Sequence, residues 1–377
     1  MMKRALPIAA LAACFEPKPM LGQPCSSWCP PPESCIAGTC ELAPTITGSA
    51  DAPAPPVTGN YVFVTSETKT PTAIGGPEGG DAWCNQLAAK AGLPGTYTAW
   101  ISSTTQHARD RLAATGARGW YRIDGQPFAD SLDDLVGSGR MFYPPRFAET
   151  GVDLGEVTMA VATGTLADGG DAGGFDCSGF TSSTGSVADG VLEAGKGLWT
   201  DYRISGNPPQ LPCSAPVRIY CFGNTMQVAV TVPPQANVRH AFITQTGVGI
   251  SAGGRGAIDA TCASQAMAAG LPGTYEALLP SAGSAANARF PATTPWVRTD
   301  NVTTLSADLV TMFAPLDVDA FGVSEQGSAW IGGPTSDCTD WTAASGTIST
   351  NDVAYGNLAE NSMANCFEAH YAFCLEL

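Results

Sequence analysis

Histidine is scarce in this chain, with only three among 377 residues, and positive charge is scarce too. His107 lies among Gln106, Arg109 and Arg111 on an expected surface, and His240 borders a linker. His370 is expected inside a closing strand, buried and hydrogen-bonded. There is no His-Glu-x-x-His helix and no phosphate loop. Those absences leave a general base or an activated nucleophile without a recognisable home, so an enzyme is not the expectation. Eighteen basic residues stand against 34 acidic ones, a formal charge of −16. Nucleic-acid binding needs a basic stripe that displaces counterions from phosphates, and none is visible. The same argument counts against heparin and anionic lipid. No apolar run approaches the roughly 20 residues that a membrane-spanning helix requires.

What is present at the start points to export. Lys3 and Arg4 precede a short apolar stretch, Ala5 to Ala13, and Leu11-Ala12-Ala13-Cys14 follows. Small residues before a cysteine form a lipoprotein signal, so residues 1–13 are expected to be removed and Cys14 acylated. A diacylglycerol plus an N-acyl chain exceeds the two hydrophobic signals that stable anchoring needs. Phe15 follows Cys14 where an aspartate would argue for inner-membrane retention, which points to the outer membrane or cell surface.

Cysteine arithmetic agrees. An odd count of thirteen asks for one cysteine with a separate fate, and Cys14 takes it. The remaining twelve fall into three groups of four. They are Cys25, Cys29, Cys35, Cys40; then Cys84, Cys177, Cys213, Cys221; then Cys262, Cys338, Cys366, Cys374. An oxidising compartment gives such a partition a purpose. The first group is read as two small disulfides, with zinc as the alternative.

Residues 14–60 hold the anchor, this Cys-rich island and a Pro-rich stalk, which reads as a semi-extended spacer. Residues 225–239, with Pro233-Pro234, read as a linker. The segments on either side of it, 61–224 and 240–377, repeat one another. Ala91-Gly92-Leu93-Pro94-Gly95-Thr96-Tyr97 recurs unchanged as Ala269 to Tyr275, seven residues after a cysteine in both. Asp134-Leu135-Val136 is matched by Asp308-Leu309-Val310. Cys177-Ser178-Gly179-Phe180 is matched by Cys338-Thr339-Asp340-Trp341, and each copy closes on cysteines eight apart. A unit of this size is a domain, not a solenoid repeat.

Local patterning gives each copy a mixed character. Asp81–Ala91 and Asp259–Ala269 have helical spacing, with Gly92 and Gly270 as left-handed stops. Tyr61–Thr65 and Ala241–Thr244 read as strands, and Val217–Phe222 and Tyr371–Leu375 as central buried strands. The class is α+β. Within a copy, four cysteines allow three pairings, although eight extended residues place Cys213 roughly 25 Å from Cys221.

As a set, these motifs resemble the endostatin domain of basement-membrane collagens, and more closely the endostatin-like domain of bacterial surface lipoproteins. Trp330-Ile331-Gly332-Gly333 before Cys338 also fits. The resemblance covers the chain from Tyr61 onward, apart from the linker. It implies two tandem modules of a compact C-type lectin-like fold, each closed by nested disulfides. These would be Cys84–Cys221 around Cys177–Cys213, and Cys262–Cys374 around Cys338–Cys366. It does not carry over zinc, because histidines near the domain starts are missing apart from His240. Nor does it carry over heparin affinity. The second copy has three basic residues, Arg255, Arg289 and Arg298, against thirteen acidic ones. The Glu-Pro-Asn and Trp-Asn-Asp elements of calcium-dependent lectins are absent, so the lectin label concerns fold alone.

Two candidate ligand features remain. Asp168, Asp171 and Asp176 lie in a glycine-rich loop and could offer hard oxygen ligands to calcium, the alternative being a solvated acidic loop. Trp100, Trp120, Tyr121, Trp199 and Trp296 could line a groove, while Phe180 and Trp341 are expected in the core. The functional expectation is a lipid-anchored surface protein with a non-catalytic binding or adhesion role toward a protein or glycan. The alternatives are an enzyme or accessory acting on envelope or extracellular polysaccharide, and a structural envelope protein.

Overall fold

The computed structural model describes residues 59–155, 160–205, 211–250, 253–280, 284–291, 293–332, 338–356, 358 and 362–377. It also describes the backbone of 33–36 and 39–42. Cys14, Cys25 and Cys29 lie outside these residues, so acylation and the island's pairing fall outside them too. In the N-terminal unit, Met1–Ala54, Glu33–Ile36 and Thr39–Leu42 form an antiparallel hairpin that places Cys35 opposite Cys40.

The second unit, Pro55–Leu377, contains both repeats, and it is α+β. Their apolar runs become central strands, as two-sided burial demands. In copy one the sheet runs, in spatial order, Tyr97–Ala99, Tyr220–Gly223, Asn60–Val64, Trp120–Arg122, Pro127–Ala129. Copy two repeats it as Tyr275–Ala277, Phe373–Glu376, Arg239–Ile243, Trp296–Val297, Thr303–Leu305. In each, one parallel pair, Asn60–Val64 with Trp120–Arg122 and Arg239–Ile243 with Trp296–Val297, sits among antiparallel neighbours.

Each sheet carries one long helix, Gly76–Lys90 or Gly254–Ala268, beginning five residues before the spacing suggested. Glycines hide these first turns because they are poor helix formers. Gly80 is there for close approach: a Cβ would lie 2.8 Å from the Ala99 methyl. Both helices stop in the same way. Gly92 N–H donates to Ala89 O and Leu93 N–H to Ala88 O, and Gly270 and Leu271 repeat this on Met267 and Ala266. That double return with a left-handed glycine (φ +72° and +71°) is a Schellman stop, and it explains why the heptapeptide is shared.

The disulfides join Cys84 to Cys221, Cys177 to Cys213, Cys262 to Cys374 and Cys338 to Cys366, the nested pairs that the resemblance implies. Each outer bridge staples the helix to the central strand. The outer bonds span 137 and 112 residues, so loop-closure entropy alone gives each about 4–5 kcal/mol. The inner bonds start from left-handed turns, Cys177–Phe180 and Cys338–Trp341, in which every residue has φ between +50° and +68°. L-residues resist this by about 1–2 kcal/mol each. The disulfide and the fully buried Phe180 and Trp341 hold the turn in place.

The segment 225–239 is not a free linker. Asn60 Oδ1 accepts from the N–H groups of Thr225 and Met226, and buried Val230 donates to Asp130 Oδ1 at 2.7 Å. It is a seated strap, because unpaired backbone polar groups beside the sheet edge need partners. The strap leads into a shared apolar cluster of Phe142, Tyr143, Val230, Val302 and Ala314. Arg298 of copy two is fully buried there. It donates to Met141 O of copy one at 2.7 Å and pairs with Asp300 and Asp317 at 2.7 Å each. The copies therefore pack as one body.

Candidate functional site

The aromatic candidates are mostly structural. Trp100, Trp120, Trp199 and Trp296 are at most 1% exposed, so they cannot line an open groove. Trp120 Nε1 donates to Gly223 O and Trp296 Nε1 to Glu376 O, tying the strand of each tryptophan to the closing strand one place beyond its neighbour in both copies. Tyr121 is half-buried against the cluster between the copies.

The acidic loop is also used structurally. Asp168 pairs with Arg109 at 2.9 Å and caps Gly170 N. Asp171 lies half-buried in a bridge to Thr165, and buried Asp176 accepts from Gly179 N at 2.9 Å, capping the left-handed turn. The three carboxylates do not converge, and no group of three or more metal-binding side chains occurs among the described residues. The histidines meet one carboxylate each: His107 with Asp110, His240 with Glu376, His370 with Glu368. His370 lies in the short Ala369–His370 strand, not the closing one, and is half-buried against the Trp330 ring.

The residues that stand out are those where the copies differ. Backbone bonds fix the equivalence: Trp100 N donates to Tyr220 O, and Leu278 N to Phe373 O, each one residue before the closing cysteine. Likewise Thr163 N bonds to Ala188 O and Ile331 N to Ser349 O. In copy one the Trp100 indole donates to Thr200 Oγ1 at 2.7 Å, and Thr163 Oγ1 donates to Thr200 O at 2.6 Å. Trp199 packs on Trp100 with ring centroids 5.2 Å apart. That network plugs the space between the sheet and the loop beyond Leu192.

In copy two, leucine and isoleucine replace the tryptophan and threonine, and the plug is gone. A cavity of about 490 Å³ remains, lined by Leu278, Leu309, Ile331 and Leu358, with Ser284 and Asn287 on one side. This volume falls within the range of small-molecule sites. Among the described residues, no charged side chain lines it.

The latches around the site were not anticipated from sequence. Asp81 Oδ1 accepts from Ala99 N, and Arg111 pairs with Asp81 and donates to Ala99 O at 2.9 Å. Asp259, Ala277 and Arg289 repeat this. They fix the strand that carries Trp100 or Leu278. The signal was present: Asp and Arg stand thirty residues apart in both copies. So was the pocket's, since Tyr97-Thr-Ala-Trp100 aligns with Tyr275-Glu-Ala-Leu278.

No protein-family model and no curated protein matches this chain.

Proposed function

We propose that the protein is an exported, lipid-anchored binding protein of the bacterial surface, not an enzyme. In this reading copy one and the strap form a scaffold, and copy two is the binding module. The observation that carries the reading is the contrast at one equivalent place, plugged by Trp100 and Trp199 and open behind Leu278. A cavity lined by apolar side chains with two polar neighbours can hold and orient a ligand, and its described side chains include neither acid nor base. Copy two also exposes more large apolar side chains, among them Met267, Val310 and Phe367, which suits a surface that makes contacts. The Leu11-Ala12-Ala13-Cys14 box supports anchoring through Cys14, with the outer membrane as destination. The repeated motifs support an endostatin-like module of C-type lectin-like fold for each copy. The acidic charge makes nucleic acid and heparin poor partners.

One experiment addresses both parts. The full chain is expressed in a bacterial host with labelled fatty acid, and the purified protein is screened against fragments by thermal shift. Label incorporated in the wild type but not in Cys14→Ser, and fragment stabilisation lost in Leu278→Trp, are the expected results. Polysaccharide turnover in a parallel hydrolase panel would replace the binding reading with an enzymatic one.

A further inference from the structure

We infer that the copy-two cavity takes an uncharged planar aromatic ring, with a polar substituent directed toward Ser284 and Asn287. This rests on the binding reading above and names its ligand class. The first argument is internal to the molecule. The same backbone position in copy one holds an indole, and the second indole of Trp199 lies against it at an interplanar angle of 36°. The fold therefore accommodates flat rings at this place, between the helix–strand latch and the residue, Thr163 or Ile331, that follows the short strand Ala160–Ala162 or Ser328–Trp330. Removing those rings while keeping the surrounding strands leaves a space shaped by them.

The chemistry of the replacements narrows the class. In copy one the ring's N–H is satisfied by Thr200, which Thr163 holds in turn. In copy two Ile331 stands where Thr163 stood, so the wall it forms offers no side-chain hydrogen bond. A ligand group that reaches this wall must lose nothing there, which favours a hydrocarbon ring over a hydroxylated sugar face. Burying an unpaired polar group would cost a few kcal/mol, and an unpaired charge far more. Among the described lining side chains the polar atoms are at Ser284 and Asn287, so a hydroxyl or amide substituent belongs on that side. Gly332 and Pro280 complete a wall held by Trp341, whose Nε1 donates to Pro280 O at 2.8 Å.

The test uses the full chain and two probes of matched size, benzyl alcohol and cyclohexylmethanol. Binding is followed by NMR titration with methyl-labelled leucine and isoleucine. The expected result is saturable binding of benzyl alcohol, with contacts between its ring protons and the Leu278 and Ile331 methyls. Cyclohexylmethanol should bind about tenfold more weakly, because a puckered ring cannot lie flat on the walls as the indoles of copy one do. Leu278→Trp should lose about tenfold or more of the benzyl alcohol affinity. Equal or tighter binding of cyclohexylmethanol overturns the aromatic inference and leaves the binding reading standing. Binding of neither probe overturns both. Unchanged affinity in a folded Leu278→Trp, or ring contacts elsewhere in the chain, also overturns the inference. The contacts in the wild type decide the matter if the variant does not fold.

Discussion

The two copies share a sheet order, a helix stop, an Asp–Arg latch and a pair of nested disulfides, yet they differ inside. Copy one is filled: Trp100, Trp199, Phe128 and Phe222 stack through its core with centroids under 6 Å apart. Copy two keeps the frame and omits the plug. Repetition preserved the elements that hold the backbone, while the space between them was free to change. Their ion pairs differ in the same way. Arg122 and Arg298 are equivalent, each two residues after a tryptophan and each paired with an aspartate two residues on. Only Arg298 reaches across to the other copy and is fully enclosed.

The sharpest way to break the comparison is at these arginines. Arg298→Met should cost about 3–5 kcal/mol, because Asp300 and Asp317 lose the cation that pairs with them in the interior. Arg122→Met should cost about 1–3 kcal/mol, since Asp124 keeps access to water. Urea titration of both variants checks the ranking, and equal losses would show that the interface arginine has no special standing. Exchanging the plug comes next. Trp100→Leu should lose about 2–4 kcal/mol through a cavity and an unpaired Thr200 hydroxyl. Leu278→Trp should stay within about 1 kcal/mol of the wild type, because room already exists. A penalty as large as that of Trp100→Leu, in the same titration, would mean that copy two has no space for a ring.

The smallest effects are in pH. Burial raises Asp130 of copy one, but the hydrogen bonds from Arg118 and Val230 N outweigh it and hold its carboxyl below the ordinary 3.8. Its contribution is present above that value and is lost on acidification. Burial pushes Asp317 of copy two the other way, up to about 6, against the pull of Arg298. Its contribution is present below 3.8 and is lost as pH rises through about 6. Melting temperatures from pH 3 to 7 should therefore shift in opposite senses in Asp130→Asn and Asp317→Asn. Parallel profiles would remove the distinction.

Much of the frame was legible. The helix stops follow from Gly92 and Gly270, and the central strands from uninterrupted apolar runs, because these depend on neighbours in sequence. The helix starts were hidden by glycines whose purpose, the close approach of Gly80 to Ala99, exists only once helix and strand meet. Asp168, Asp171 and Asp176, grouped in one glycine-rich loop, could be read as calcium ligands or as a solvated acidic loop, and Arg109, fifty-nine residues from Asp168, and the nearby Gly179 N occupy two of them. The candidate site was half legible, as the Trp100–Leu278 difference is visible on aligning the repeats. Its consequence needed Thr163, Thr200 and Trp199, which lie far along the chain from Trp100.

By itself, the sequence determined the repeat, the cysteine grouping, the acidic surface and the local stops and strands, all of which arise from composition and short-range sterics. Only the tertiary structure decided that 225–239 is a strap, that Arg298 joins the copies, and that one copy is full and the other hollow. Those outcomes depend on which distant side chains fill the same volume, and volume is shared in space, not along the chain.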